Sequence, residues 1–411
     1  MIHVCYGLYD ATGRYSKFTG TSMLSMFENV TAPPHSVTVH ILHDDTLTAD
    51  NRDKFSYIAG QYNQLIKFYN VEKICAKSIQ QFKTIFSKLD GFKIFSIGTL
   101  FRLLIPQIFS DDIKRIIYLD SDVLVNFDIN EFWQVPLEDK VLAAVPEMSN
   151  DIQTGETFTL CKRGIVNADD YFNAGVLYIN LEKWRGSEYD NFQAGIKFVV
   201  ENIKDMWIDQ NIFNYCFSKK YVKLPVDFNC FTNKARERQD FKLQNRNFHY
   251  VGSSLQMDLR DPFNRLWFGY FKKTAWFNEE VISHFNEEFV KMTVRLKNMA
   301  IQISAIMAGK SRVFFTDKRN LEFLKKAFRV QEGEEIIPAV NMESVAALKA
   351  SMKASAGSKL YFILIGKDYH FLRADLMRAG FVEGRDFINA VQFLSNAQGL
   401  PLDTYNFVKA L

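Results

Sequence analysis

The chain has 411 residues, 47% hydrophobic and 24% charged, with a net charge of +3. That length exceeds one typical core and predicts two domains. The charge is too small for an electrostatic footprint on nucleic acid, so no nucleic-acid partner is expected. Cys5, Cys75, Cys161, Cys216 and Cys230 are an odd set without CxxC spacing, and they read as reduced thiols in a reducing compartment. The start, Met1-Ile2-His3-Val4-Cys5-Tyr6-Gly7, reads as a first strand with no basic leader. No apolar run approaches the roughly 18 residues of a membrane span. A cytoplasmic protein is expected, with contact at the inner face of a membrane left open.

In chain order, residues 2–6 predict a strand, 7–15 a loop carrying Tyr9 and Asp10, and 21–29 a helix stopped by Pro33-Pro34. Residues 37–42 and 65–69 predict two more strands around a helix at 50–61. This β-α-β-α-β rhythm predicts a largely parallel sheet covered by helices, an α/β fold. A helix over 98–109 carries Arg102 and contains Pro106, which should kink or shorten it. Residues 116–119 have the length and β-branching of a buried strand. Next come a strand at 142–145, an irregular loop over 148–168 and, over 171–181, a turn feeding a strong strand. Two helices follow, at 189–202 and from 207, with Asp209 placed to cap the second. Residues 247–252 predict a short strand ending at Gly252. Residues 277–309 read as a basic amphipathic helical linker, and 310–411 as a smaller α/β domain with strands at 313–315 and 361–366 and helices at 319–328, 342–354 and 370–379.

Tyr118-Leu119-Asp120-Ser121-Asp122 closes the strand at 116–119. Side chains at i and i+2 of an extended chain share a face. Asp120 and Asp122 therefore present converging oxygens where a strand of an open α/β sheet ends, the usual place for a ligand and a hard anionic site for a divalent cation.

Four pieces stand in order: Tyr118-Leu119-Asp120-Ser121-Asp122, Phe172-Asn173-Ala174-Gly175-Val176, Asp209-Gln210 and His249-Tyr250-Val251-Gly252. Together they resemble glycosyltransferase family 8. These are retaining enzymes with the A-type nucleotide-sugar fold, typified by bacterial lipopolysaccharide galactosyl- and glucosyltransferases. The resemblance covers residues 1–276, about two-thirds of the chain. It implies a Rossmann-like mixed sheet with helices on both faces, a UDP-hexose donor, and a saccharide or lipid-linked saccharide acceptor. Asp120, Asp122 and His249 match the family's metal ligands. Two carboxylates and an imidazole suit Mn²⁺, with Mg²⁺ as the alternative. Arg102, Asn173, Ala174, Gly175 and Gly252 match donor-binding positions, with Asp120 also facing the donor. Gln210 matches the residue on the sugar face opposite the leaving group, Asp209 matches a position that holds the donor sugar, and these two are the catalytic candidates. Gly175 is expected to let backbone approach the sugar.

The chain departs from the family pattern twice. Leu8 stands where the family places a uracil-reading carboxylate. Asp10 comes two residues later, and Tyr9 is in place to stack on the base. The family's Lys-Pro-Trp after His-x-x-Gly is replaced by Asp261-Pro262-Phe263, which removes a diphosphate-binding lysine; Arg260 and Arg265 are the nearby cations. Beside the hexosyltransferase reading stand a degenerate fold serving as a scaffold and a UDP-sugar hydrolase or self-glycosylating enzyme.

Overall fold

The structure is a computed structural model. It describes residues 1–86, 97–149, 158–203, 207–237, 242–252, 261–278, 305–316, 330–339, 342–365 and 369–390, with isolated residues between. The linker predicted at 277–309, the helix at 319–328, Gly366 and Arg260 lie wholly or largely outside the described residues. The chain divides into two compact units, Met1–Asn278 and Glu279–Leu411.

The first unit is built on a seven-stranded mixed sheet. Its strands are β1 (Ile2–Leu8), β2 (Val37–His43), β3 (Leu65–Asn70), β4 (Arg115–Leu119), β6 (Leu142–Pro146), β7 (Phe172–Asn180) and β8 (Tyr221–Lys223), in the order β3-β2-β1-β4-β7-β6-β8. A second, three-stranded sheet joins β5 (Val123–Asn126), β9 (Cys230–Phe231) and β10 (Arg246–His249) in the order β5-β10-β9. Strands β1 to β4 run parallel. β7 is antiparallel to both β4 and β6, so the sheet is mixed rather than uniformly parallel. This brings the carboxyl ends of β4 and β6 and the amino end of β7 to one edge. Strand order turns back between β1 and β4, and a cleft opens beside such a point in an α/β sheet.

Several elements depart from the sequence-based expectation for local reasons. The first helix spans Arg14–Asn29, starting seven residues before position 21. Buried Asp10 accepts hydrogen bonds from Tyr15 N (2.8 Å), Ser16 Oγ and Asn51 Nδ2 (3.1 Å), tying down the helix's first turn. The segment carrying Arg102 is a 3-10 helix, Ile97–Leu104, and Pro106 starts a separate short helix, Ile105–Ile108, instead of kinking a longer one. The strand predicted within 171–181 is β7, and Asn173-Ala174-Gly175 lies inside it. Asp209 does not cap its helix: the helix runs Ile208–Phe217 behind Trp207, without a side-chain cap.

The second unit carries a parallel sheet of β11 (Ser311–Thr316), β12 (Glu335–Pro338), β13 (Lys359–Leu364) and β14 (Phe387–Asn389), ordered β12-β11-β13-β14. Val313, Phe315, Tyr361 and Ile363 bury one face against Leu348, Met352, Leu372 and Leu376. Phe314, Leu360, Phe362 and Leu364 bury the other. Burial on both faces explains why these strands read as continuous apolar runs. All five cysteines are free thiols. Among the described residues no helix is long and apolar enough to cross a membrane.

Candidate active site

Strand register assembles the site. Leu119 pairs with Val176 across β4 and β7, and Asp120 N donates to Gly175 O at 2.8 Å. Val123 N donates to Asp120 O at 3.1 Å, a tight turn that feeds β5. β5 then pairs antiparallel with β10, opposing Val123 to His249, and Tyr250 N donates to Asp122 O at 3.0 Å. Two stretches far apart in sequence are thereby held at fixed distance. One ligand atom each from Asp120, Asp122 and His249 falls within 4.8 Å of the others. His249 Nε2 lies 3.2 Å from Asp122 Oδ1.

The triad borders a cavity of about 390 Å³ that Arg102, Glu147, Asn173, Gly175, Trp207, Asp209, Gln210, Lys234 and Gly252 also line. Gly252 has φ +62°, a backbone shape that favours glycine. The structure thus collects Arg102, Asp120, Asp122, Asn173, Gly175, Asp209, Gln210, His249 and Gly252 at one cavity. Ala174 is buried behind it and contributes backbone alone. Tyr9 follows β1, half-buried, and is not among the residues lining this cavity.

Arg102 is spent on protein acceptors. It donates to Asp120 Oδ1 at 2.6 Å and to Ala174 O at 2.8 Å. Its Nε stands 3.3 Å from Asp209 Oδ2, an ion pair without hydrogen-bond alignment. The guanidinium also lies 4.6 Å from the Tyr118 ring. Burial pushes the Asp120 carboxyl up from its ordinary range against the pull of Arg102, and neighbouring Asp122 pushes the same way. Burial disfavours a charged His249, but Asp122, by charge and hydrogen bond, outweighs it and raises the imidazole above 6.5.

Glu147 and Asn229 were missed in the sequence. Glu147 follows β6 and accepts from Met148 N (3.0 Å), Ser149 N (2.9 Å), Asn173 Nδ2 (3.2 Å) and Gln210 Nε2 (3.2 Å). The signal was available, because a carboxylate ending a predicted strand is the argument that singled out Asp120. Asn229, fully buried, lies 2.9 Å from His249 Nδ1 and 2.9 Å from Asn173 Oδ1; nothing in its local sequence announces this. Gly175 lines the cavity and is also crowded by protein groups. The space a Cβ would fill is taken by His249 Cε1 (2.4 Å) and Asp120 Oδ2 (2.7 Å), so the glycine makes room for protein groups. In the Lys-Pro-Trp place, Asp261 caps the helix Pro262–Phe271 and pairs with Arg236 at 2.7 Å. Arg265 does not line the cavity, whereas Lys234 does.

The chain is similar to the lipopolysaccharide 1,2-glucosyltransferase of Escherichia coli, 26% identical over 219 residues covering 53% of this chain and 59% of that protein. It is also similar to the lipopolysaccharide 1,3-galactosyltransferase of Salmonella typhimurium, 27% identical over 181 residues covering 44% and 48%. It therefore spans less than two-thirds of the length of these relatives. Among solved structures, the WbbM bifunctional glycosyltransferase superposes with a TM-score of 0.53 at 19% identity, covering 67% of this chain and 50% of that one. The galactosyltransferase LgtC, in complex with donor and acceptor sugar analogs, gives 0.51 at 21% identity, covering 68% and 98%. These likenesses establish the A-type glycosyltransferase fold. The family model for glycosyl transferase family 8 matches residues 8–254. With that model spanning more than half of its length, the chain belongs to glycosyl transferase family 8, a family of glycosyl-transferring enzymes.

Proposed function

We propose that this protein is a retaining hexosyltransferase that moves glucose or galactose from a UDP-sugar to a saccharide of a bacterial surface glycan or lipopolysaccharide. Asp120, Asp122 and His249 would hold a divalent cation, Mn²⁺ in preference to Mg²⁺. The observation that carries the reading is this triad at the edge of a cavity also lined by Asn173, Asp209 and Gln210. The donor set fits: two carboxylate oxygens and one imidazole nitrogen converge, and imidazole is a borderline-soft donor. When bound, the cation offsets the negative charge that develops on the departing nucleoside diphosphate.

The chain's own residues do the rest. Glu147 and the Ala174 N–H hold the Gln210 amide in one orientation. Arg102 holds Asp120 and Asp209 apart from each other's charge. An amide is a poor nucleophile, so a front-side reaction is favoured. The acceptor oxygen bonds to the anomeric carbon on the face the diphosphate leaves, the carbon–oxygen bond to phosphate breaks, and the acceptor proton passes to a phosphate oxygen. Asp209 and Gln210 would counter the positive charge on the sugar ring in the transition state.

The test is a screen of UDP-sugars for Mn²⁺-dependent release of UDP by wild type and Asp122→Asn, with the anomeric configuration of the product read by NMR. Release that needs Mn²⁺ and an acceptor, is lost in D122N and retains configuration supports the proposal. Equal release without acceptor would make the protein a hydrolase. No Mn²⁺-enhanced UDP binding would favour a scaffold.

A further inference from the structure

Two backbone N–H groups decide where the proton sits on His249. Gly175 N donates to Asn173 Oδ1 at 3.0 Å, and Ala174 N donates to Gln210 Oε1 at 3.0 Å. A backbone N–H is a donor only, so the amide atoms facing these groups are oxygens. Gln210 Oε1 also accepts from Asn173 Nδ2 at 3.1 Å, which fits the same orientation of Asn173. Asn173 Oδ1 lies 2.9 Å from the Asn229 amide. Two oxygens do not share a hydrogen bond, so Asn229 turns its NH₂ to Asn173. Its carbonyl oxygen then faces His249 Nδ1 at 2.9 Å, and that nitrogen must carry a hydrogen. A neutral imidazole has one N–H. In that neutral ring Nε2 keeps its lone pair, 3.2 Å from Asp122 Oδ1, where a second proton or a metal ion would bind.

We infer that Asn229 is a positioning residue: its side chain holds His249 with Nδ1 protonated and the Nε2 lone pair directed at Asp120 and Asp122. The consequence is physical. A lone pair and two carboxylates converging within 4.8 Å repel one another unless positive charge, a proton on Nε2 or a metal ion, stands between them. The same side chain spans the site, because its oxygen orients the cation end and its NH₂ orients Asn173 at the sugar end. A hydrogen bond on the non-ligating nitrogen sets both the ring's orientation and its basicity toward a metal. The role assigned to the cation end rests on the divalent-cation reading proposed above.

Two substitutions separate the two arms. Asn229→Asp keeps an acceptor for Nδ1–H and removes the donor to Asn173. Asn229→Leu removes both at similar volume. Imidazole-¹⁵N NMR of the metal-free protein at alkaline pH is expected to show His249 as the Nδ1–H tautomer in wild type and N229D. Calorimetry with Mn²⁺ alone is expected to show affinity close to wild type in N229D and about 10–100-fold weaker in N229L. In N229D the donor KM rises. Thermal unfolding of the metal-free variants separates loss of binding from loss of fold. If N229L does not fold, N229D decides: retained Mn²⁺ affinity with a raised donor KM supports the assignment, and lost affinity overturns it. A wild-type Nε2–H tautomer, or an N229L that folds and binds Mn²⁺ as tightly as wild type, also overturns it. If wild-type protein binds no divalent cation, the cation reading falls, and the tautomer measured by NMR still decides the placement of the proton.

Discussion

A Cβ on residue 175 would stand 2.4 Å from Cε1 of His249, closer than real side-chain contacts come. Neither neighbour of Gly175 is free to yield, since His249 is held by Asn229 and Asp120 by Arg102. Gly175→Ala is therefore expected to displace the imidazole or the carboxylate by a fraction of an ångström or more. Misplacement on that scale costs activity on the order of 100-fold. Steady-state kinetics, beside a thermal melt showing a retained fold, checks this. Wild-type kcat/KM in the alanine variant would show that the site tolerates a repositioned triad.

Arg102 is the cation that keeps two carboxylates inside the site, its side chain 7% exposed between Asp120 and Asp209. Arg102→Ala leaves both acids without their partner. Removing one member of a buried pair costs about 3–5 kcal/mol, and the lower end applies because Asp120 keeps 23% of its side-chain surface exposed. Urea unfolding measures the loss. Arg102→Lys should recover only part of it, because an ammonium does not reproduce the forked contact to Asp120 and Ala174 O.

Lys234 and Arg102 are the Lys and Arg side chains among the described residues lining the cavity, against four carboxylates, Asp120, Asp122, Glu147 and Asp209. On the proposed donor reading, Lys234 is the cavity cation expected to meet the diphosphate. A charge-assisted hydrogen bond contributes about 1.5–3 kcal/mol, so Lys234→Ala is expected to raise the donor KM roughly tenfold or more. The difference should shrink in high salt. Donor titrations at two ionic strengths read both effects, and an unchanged KM would remove Lys234 from the donor site.

His3 and His40 make the first unit acid-sensitive away from the cavity. Their rings contact at 3.0 Å between nitrogens, with His40 also packed against Phe109 at 4.9 Å. Burial pushes His3 down to about 4, helped by the chain's amino terminus and Lys67. Burial pushes His40 down to about 3, helped by His3 and Lys67. Both folded values lie below the unfolded value of 6.5, so the unfolded chain binds protons first as pH falls. Their contribution is present in full above pH 6.5 and is lost below it, at up to about 1.4 kcal/mol per pH unit for buried His40 and less for half-buried His3, whose charge water screens, until the folded values are reached. Urea midpoints between neutral pH and pH 4.5 should fall along this slope. His40→Phe should fall less steeply over the same interval, even if it starts lower.

The sequence by itself determined the local frame and the family. The β-branched run ending at Asp120 is β4 because a buried strand needs that pattern, and the i, i+2 spacing of the two acids is visible in any extended chain. Motif order placed His249 and Gln210 with the same acids. In the second unit, β11 and β13 were legible as apolar runs, while the shorter β12 and β14 were not. The longer first helix was hidden because its start is set by Asp10, a side chain outside it.

Tertiary structure alone decided which partners those side chains take. The hydrogen bond on His249, the occupants of the space beside Gly175, the acceptors of Arg102 and the Asn173 and Gln210 donors to Glu147 come from how strands and helices align, whereas the Met148 and Ser149 N–H donors to Glu147 are local. β4 against β7 and β5 against β10 bring together residues far apart in the chain. Hydrophobic periodicity reports which face of an element is buried. It carries no information about which polar group, many residues away, will stand within 3 Å of another once the strands align.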